Sequence, residues 1–300
     1  MPFRRVLVAV DLEDPEIVSY ARILPRLSPD VECRFVHVLG WPGRSPADKP
    51  HLTHSQALEK LQQVVSSCYG GPQAICQVLH GTVIDQLLET AAESSTDLIM
   101  VGHKVGHKSE HSQRRSLARR LAMKAPCSVW MRPNGGPQDV RRVLVAVDFS
   151  SPSAYALSTA ARIARNLETE ECLALHVYFD EAMPEEAEQR ANLTEVLEKF
   201  DRFVAPLDIH GMKVRSVIEA SSNVVHAIQR LAQQEQADLV VMGNRGQTRS
   251  ASILLGSESE HMLMETQVPV LVVKRRGERI GLLEALFDRD FHLPEAPRFG

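Results

Sequence analysis

The chain has 300 residues, 44% of them hydrophobic and 24% charged, which is an ordinary composition for a globular protein of one or two domains. A net charge of −4 gives no reason to expect a nucleic-acid partner. The five cysteines include no C-x-x-C pair, which argues against a disulfide framework or a zinc module. We find no apolar run long enough for a signal peptide or a membrane span, so we expect a cytoplasmic protein.

The sequence contains one unit written twice. The segment "RRVLVAVD" stands at residues 4–11 and recurs letter for letter at 141–148. "TDLIMVG" (96–102) then matches "ADLVVMG" (237–243), and "APCSVWMR" (125–132) matches "VPVLVVKR" (268–275). Because these matches are collinear, the chain is interpreted as a tandem duplication.

Each copy alternates strand and helix patterns in chain order. The second copy shows apolar, β-branched runs for strands and helical apolar spacing between them. The expected strands cover 142–147, 172–178, 213–220, 238–243 and 268–274, and the expected helices cover 151–167, 185–207, 222–236 and the residues from 256 onward. Such alternation predicts an α/β fold made of two doubly wound domains, each with a mainly parallel sheet covered on both faces.

The predicted domain boundaries follow the repeat. Residues 1–133 form the first domain, 134–140 the linker, rich in Pro and Gly, and 141–275 the second domain. Residues 276–300 lie outside the repeat and carry apolar residues near helical spacing, which predicts a short amphipathic helix. This tail either docks on its own domain or contacts a partner.

Glycines mark the end of the fourth strand and the start of the last helix in the second copy. Gly243 and Gly246 are followed after nine residues by Gly256 and Ser257. Glycine allows close approach of the backbone to a ligand, and a helix N-terminus suits a phosphate. These glycines are also typical of simple turns and caps, and neither a Walker loop nor a dinucleotide fingerprint is present.

The stretch "GNRGQTRSASILLGS" resembles the nucleotide motif of universal stress proteins, which is G-x-x-G, nine residues, then G-[ST]. The strands "RVLVAVD" and "VPVLVVK" and the "LHV" of the second strand are similar to that family as well. The resemblance implies a tandem member with strand order 3-2-1-4-5 in each five-stranded domain. It also implies that the two copies pair through their last strands as a pseudo-dimer within one chain.

The resemblance further implies ATP, with or without Mg²⁺, between the first and fourth strands of the second domain. Asp148, Phe149 and Ser150 would lie beside adenine and ribose, and Val177 would contact the base. The remaining contacts would line ribose and the α-phosphate (Gly243, Asn244, Arg245 and Gly246) or bind the outer phosphates (Gly256, Ser257 and Ser259).

The first copy lacks this motif. It keeps Asp11 and Gly102, but Ser116 stands ten residues after Gly106, and an ungapped alignment from Pro126 places Gln113 and Arg114 opposite Gly256 and Ser257. We therefore expect no ordinary ATP site there. Basic residues replace the motif, either as a solvated helix face or as a pocket for another anion; they are Lys104, Lys108, Arg114, Arg115, Arg119, Arg120 and Lys124.

Histidines recur at positions 103, 107 and 111, a spacing that would allow metal binding on a helix, although Gly106 interrupts the segment and favours loop histidines instead. His37 and His176 occupy matching places in the second strands, where a structural role is the better interpretation. No nucleophile motif or general base is evident, and no metal site is expected.

The leading hypothesis is an ATP-binding regulatory protein with slow hydrolysis at most, to which the resemblance adds a role in stress resistance. The alternative is an interaction module in which the first domain and the tail recognise a protein partner and the ATP site is mainly structural. An enzyme that transfers a phosphoryl or adenylyl group is the weaker third option. Whether ATP, ADP or AMP is bound, and whether two chains form a homodimer, stay open.

Overall fold

The computed structural model describes residues 3–40, 52–103, 111–169, 171–178, 186–244, 261–263 and 266–275. In the first half, the elements are β1 (Arg5–Ala9), α1 (Glu16–Tyr20), a 3-10 turn (Ala21–Ile23), α2 (Leu24–Leu27), β2 (Glu32–Leu39), α3 (His54–Cys68), β3 (Ala74–His80), α4 (Val83–Glu93), β4 (Leu98–His103), α5 (His111–Lys124) and β5 (Ser128–Pro133).

The second half repeats this order with longer helices on one face. Its elements are β6 (Val143–Ala146), α6 (Ser151–Asn166), β7 (Cys172–Tyr178), α7 (Glu186–Val204), β8 (Val214–Ala220), α8 (Val224–Gln234), β9 (Leu239–Gly243), a helical segment at 261–263 and β10 (Val270–Val273). The five predicted strands and the first three predicted helices of this half are present within these ranges. Of the helix predicted from residue 256 onward, residues 261–263 are helical, and its start lies outside the described residues.

The described strands form one ten-stranded sheet in the order β3-β2-β1-β4-β5-β10-β9-β6-β7-β8. From either outer edge, the strands of a half come in the order third, second, first, fourth, fifth, and neighbours within a half are parallel. The same holds for the second half. The predicted fold class and the predicted strand order 3-2-1-4-5 are therefore confirmed.

Apolar side chains on alternate strand residues fill two cores, one on each face of the sheet. Val6 and Val8 face the core covered by α1, α2, α3, α6 and α7, whereas Leu7 faces the core covered by α4, α5, α8 and residues 261–263. All three side chains are at most 1% exposed. Burial on both faces explains why the repeated strand is an unbroken apolar run rather than an alternating one.

A repeated aspartate fixes the start of the first strand of each half. One carboxylate oxygen of Asp97 accepts hydrogen bonds from the main-chain N–H groups of Arg4 and Arg5, both at 3.0 Å. Asp238 accepts from Arg141 and Arg142 in the same way, at 2.8 and 3.1 Å. The repeated "RR" and "DL" segments are thus two parts of one local contact, in which an ionised acceptor strengthens both bonds.

The two halves are joined by the antiparallel pair β5–β10, which we call the junction. Val129 lies opposite Val272, and Trp130 lies opposite Leu271. Val129 and Val272 are each the fifth residue of the matched segments "APCSVWMR" and "VPVLVVKR". A residue that pairs with its own counterpart lies on a two-fold axis, so the predicted pseudo-dimer is confirmed.

The segment after β5 is held against α1 by a buried arginine. Arg132 is 1% exposed and pairs with Glu16 at 2.9 Å, while its guanidinium also donates to the carbonyl oxygen of Gly136 at 2.7 Å. Hydrogen bonds from the Gly135 N–H and from Arg132 hold the pKa of Glu16 below its usual value. The aromatic ring of Tyr20 lies 5.0 Å from the guanidinium carbon.

We expect Arg132→Met to lower the free energy of unfolding by about 2–3 kcal/mol, because the Gly136 carbonyl oxygen loses its charged donor and Glu16 loses its ion-pair partner. Arg275→Met is the matched control, since Arg275 is the counterpart in the repeat but is exposed and lies 5.9 Å from the Tyr155 ring. Urea unfolding of both variants at neutral pH measures the difference. Equal losses of unfolding free energy in the two variants would show that the buried contacts of Arg132 do not stabilise the fold.

Candidate functional site

The carboxyl ends of β6 and β9 meet at one edge of the sheet in the second half. The two strands are parallel neighbours, with Val143 opposite Leu239 and Val145 opposite Val241. On its other side β6 pairs with β7, so the connections after β6 and β9 leave in opposite directions. Ligands of doubly wound folds bind in the crevice that opens at such a point.

Asp148 forms a tight turn directly after β6. One of its carboxylate oxygens accepts hydrogen bonds from the Ser150 N–H at 3.1 Å and from the Ser150 hydroxyl at 2.5 Å. The Ser150 hydroxyl oxygen accepts in turn from the Ser153 N–H at 3.3 Å and so caps α6. The turn and the helix start are therefore one hydrogen-bonded unit.

Phe149, in the middle of this turn, has a left-handed backbone with φ of 62°. Its ring packs with the edges of Phe200 and Phe203 of α7, at centroid distances of 6.2 and 5.4 Å. The Lys199 ammonium lies 4.7 Å from the ring centroid. A bulky residue rarely adopts this conformation, and the burial of its ring against α7 offsets the strain.

His176 of β7 closes the cluster from the other side. Its ring centroid is 4.1 Å from that of Phe149, and its Nδ1 lies 2.8 Å from the carbonyl oxygen of Val147. Since a carbonyl only accepts, Nδ1 carries the hydrogen. Burial lowers the pKa of His176 and Lys199 lowers it further, whereas the bond to Val147 raises it.

Val177, the next residue on β7, packs on the opposite face of the sheet, with the core that α8 covers. The Phe149 ring belongs to the α7 face. The structure therefore separates these two predicted base contacts by the thickness of the sheet, and only the main chain of Phe149 stays at the strand end beside Val177.

Gly243, at the end of β9, is in close contact with α6. A Cβ atom built on Gly243 would lie 2.8 Å from Cβ and 3.0 Å from the carbonyl carbon of Pro152. The absence of a side chain thus lets the first turn of α6 pack on β9. Sequence reasoning assigned this glycine to close approach of a ligand, and it missed the helix packing.

Asn244 follows Gly243 at the mouth of the crevice and is 4% exposed. The rest of the predicted site lies outside the described residues: Arg245, Gly246, Gly256, Ser257 and Ser259. Beyond them, Met262 and Leu263 are buried in the core on the α8 face.

A family comparison matches both halves of the chain. The model of the universal stress protein family matches residues 2–133 and again residues 139–274.

The chain belongs to the universal stress protein family.

Relatives and solved structures agree with this membership. A universal stress protein of Methanocaldococcus jannaschii is 28% identical over 159 residues, which cover 46% of this chain and 96% of the relative. The crystal structure of a universal stress protein from Archaeoglobus fulgidus has a TM-score of 0.63 at 20% identity and covers 90% of this chain and 96% of its own, which shows the shared fold. A universal stress protein solved in complex with cAMP is 26% identical, covers 45% of this chain and 97% of its own, and has a TM-score of 0.34.

The first half of this family member departs from the second at the corresponding edge. α5 begins at His111, so Ser116 lies in its second turn and Gln113 and Arg114 lie in its first. No glycine–serine pair therefore opens this helix. His103 ends β4, so it shares no helix with His111, and His107 lies outside the described residues.

Of the basic residues that replace the motif in the first half, three have described side chains. Arg120 and Lys124 are exposed and Arg119 is half-buried, which agrees with a solvated face for this part of α5. The anion-pocket alternative remains untested. Lys104 and Lys108 lie outside the described residues, and so do the side chains of Arg114 and Arg115.

His37 and His176 have the structural role that their matching places indicated. His37 Nδ1 lies 2.9 Å from the carbonyl oxygen of Val10, as His176 Nδ1 does from that of Val147. In the described ranges, no group of three His, Cys, Asp or Glu side chains is placed to hold a metal ion. A helix that could cross a membrane is likewise missing from that part of the chain.

We expect Gly243→Ala to destabilise the protein by about 1–3 kcal/mol, because the added methyl group would overlap Pro152 and its main chain. Gly102→Ala is the matched control, since the nearest atom to its Cβ, on Ile17, is at an ordinary 3.5 Å. Thermal unfolding of the two variants measures the contrast. A similar loss of stability in both variants would show that contact with Pro152 is not the reason for a glycine at position 243.

We expect the stability of the wild type to fall more steeply than that of His176→Asn as the pH drops from 7.5 to 5.5. The lowered pKa keeps folded His176 neutral while the unfolded chain takes up the proton near pH 6.5, so the stability present above that pH is lost below it. The slope difference is at most about 1.4 kcal/mol per pH unit. Urea titrations at both pH values test it, and parallel curves would refute it.

Proposed function

We propose that the second half binds an adenine nucleotide, ATP in the first place, across the carboxyl ends of β6 and β9. The observation that carries this proposal is the buried amide of Asn244 beside the Asp148 turn, at the point where the strand connections diverge. A side-chain amide donates and accepts hydrogen bonds and a carboxylate accepts them, so this pair suits the hydroxyl groups and phosphate oxygens of a nucleotide.

Each proposed contact follows from the chemistry of the side chain. The Asp148 carboxylate accepts hydrogen bonds, which suits ribose hydroxyl groups, and Val177 offers an apolar surface to the base. Phe149 contributes its main chain, because its ring packs against α7. Arg245, Gly246, Gly256, Ser257 and Ser259 would surround the phosphates with a cation, main-chain N–H groups and hydroxyl groups.

We infer a regulatory role for this binding, in stress resistance and in the cytoplasm, with hydrolysis slow at most. Among the described residues of the crevice, Asp148 is engaged with Ser150, and His176 donates to a main-chain carbonyl group. One carboxylate oxygen of Asp148 and the ring N–H of His176 thus hold the turn. This supports a site that retains a nucleotide rather than one that activates water.

Mass spectrometry of nucleotide released from the freshly purified protein tests the proposal, followed by titration with ATP, ADP, AMP and cAMP, with and without Mg²⁺. We expect ATP from the wild type and none from Gly256→Arg, which places a bulky side chain where the phosphates would approach. Gln113→Arg, at the position of the first half that aligns with Gly256, is the control and should retain ATP. Circular dichroism checks that both variants are folded.

Retention of nucleotide by Gly256→Arg would exclude this site. No nucleotide from any variant and no binding on titration would favour the interaction module, in which the first half and the tail recognise a protein partner. Partner binding that is unchanged in Gly256→Arg would support the same alternative.

A further inference from the structure

The turn that carries Asp148 packs against aromatic side chains on the α7 face of the sheet. Phe149 is enclosed by His176, Phe200 and Phe203, at ring-centroid distances of 4.1, 6.2 and 5.4 Å. These side chains come from β7 and α7, on the face opposite to Val177. We call Phe149, His176, Phe200 and Phe203 the aromatic clamp.

His176 fixes the end of β6 as well as the ring. Its Nδ1–H donates to the carbonyl group of Val147, the residue directly before Asp148. The peptide groups on either side of Asp148 are thus held by different means, by a hydrogen bond before it and by the partly buried, left-handed Phe149 after it. Asp148 has little freedom to change its direction while both are in place.

The first half has the same turn without the aromatic clamp. Asp11 accepts from the Glu13 N–H at 3.0 Å, and His37 lies 2.9 Å from the Val10 carbonyl oxygen. The residue that corresponds to Phe149 is Leu12, which has no left-handed backbone. Among the described residues, the bracing of the aspartate by aromatic rings therefore belongs to the half that carries the glycine motif.

We infer that the aromatic clamp fixes the direction of the Asp148 carboxylate and thereby makes the second half select ribose over sugars without hydroxyl groups. This inference rests on the proposed nucleotide site. The residues of the aromatic clamp act through Asp148 and are positioning residues.

The selection follows from the chemistry of a fixed acceptor. Ribose offers two adjacent hydroxyl donors at C2′ and C3′, and 2′,3′-dideoxyribose offers none. A carboxylate that is held towards a sugar without hydroxyl groups loses the hydrogen bonds that ribose would supply, whereas a mobile one turns to water. A fixed Asp148 therefore favours ATP over 2′,3′-dideoxy-ATP by about tenfold or more, which is the range for hydrogen bonds to a charged group.

The test is the ratio of the Kd for 2′,3′-dideoxy-ATP to the Kd for ATP, measured by calorimetry on the full chain. His176→Leu removes the donor to Val147 and should reduce the ratio to about twofold or threefold, since the carboxylate then relaxes towards water. His176→Asn keeps an N–H donor near the position of Nδ1 and should restore most of the ratio. Phe149→Leu, which introduces the residue of the first half, should lower it as His176→Leu does.

His37→Leu is the matched control in the first half and should leave the ratio unchanged. A full ratio in folded His176→Leu and Phe149→Leu would overturn the aromatic clamp while leaving the nucleotide site in place. A wild type that binds both nucleotides equally would overturn the selection by Asp148 but not nucleotide binding. A wild type that binds neither would overturn the proposed function, and this inference with it.

Discussion

The antiparallel pairing of β5 with β10 is the constraint on which the rest of this structure depends. It turns two five-stranded sheets into one and buries Trp130 and Leu271 at the junction, where each half would otherwise have an unpaired strand edge. It also sets the direction of every strand. The strands of the two halves run in opposite directions. The carboxyl ends of the strands, and so the crevices beside them, therefore lie at opposite ends of the strands in the two halves of the ten-stranded sheet.

Contacts away from the strands reinforce this junction. Asn166 of α6 donates to the carbonyl oxygen of Leu27 at 2.7 Å, and Arg26 donates to that of Leu167 at 3.3 Å. Lys274, directly after β10, donates to the carbonyl oxygen of Ala125, just after α5, at 2.9 Å. Each bond satisfies a carbonyl group at or just past a helix end, which has no partner within its own helix.

Much of the fold follows from local sequence, since the repeated apolar runs predict strands covered on both faces and the caps predict the helix starts. Ser150 caps α6 one residue before the expected helix at 151–167, and Asn223 caps α8 within the expected range 222–236. The β5–β10 pairing is different, because apolar periodicity shows that a strand is buried but not which other strand pairs with it. That expectation came from the family resemblance.

The candidate site was less predictable, because its geometry depends on residues distant in sequence. Gly243 is explained by Pro152, and Phe149 by Phe200 and Phe203 of α7, which α6 and β7 separate from it in sequence. The local sequence around Phe149 does not predict that its backbone is left-handed or that its ring points away from the crevice. A spacing motif identifies the loop but not the face to which each side chain points.

The fusion of the two halves also removes a restriction that a true homodimer must obey. In a homodimer every substitution appears twice, so a residue near the axis has to suit both of its environments at once. Here Lys274 reaches the end of α5 while its counterpart, Met131, is fully buried, and Arg132 is buried while Arg275 is exposed. Covalent linkage thus lets one copy diverge without altering the other, and the glycine motif was free to disappear from one half and persist in its twin.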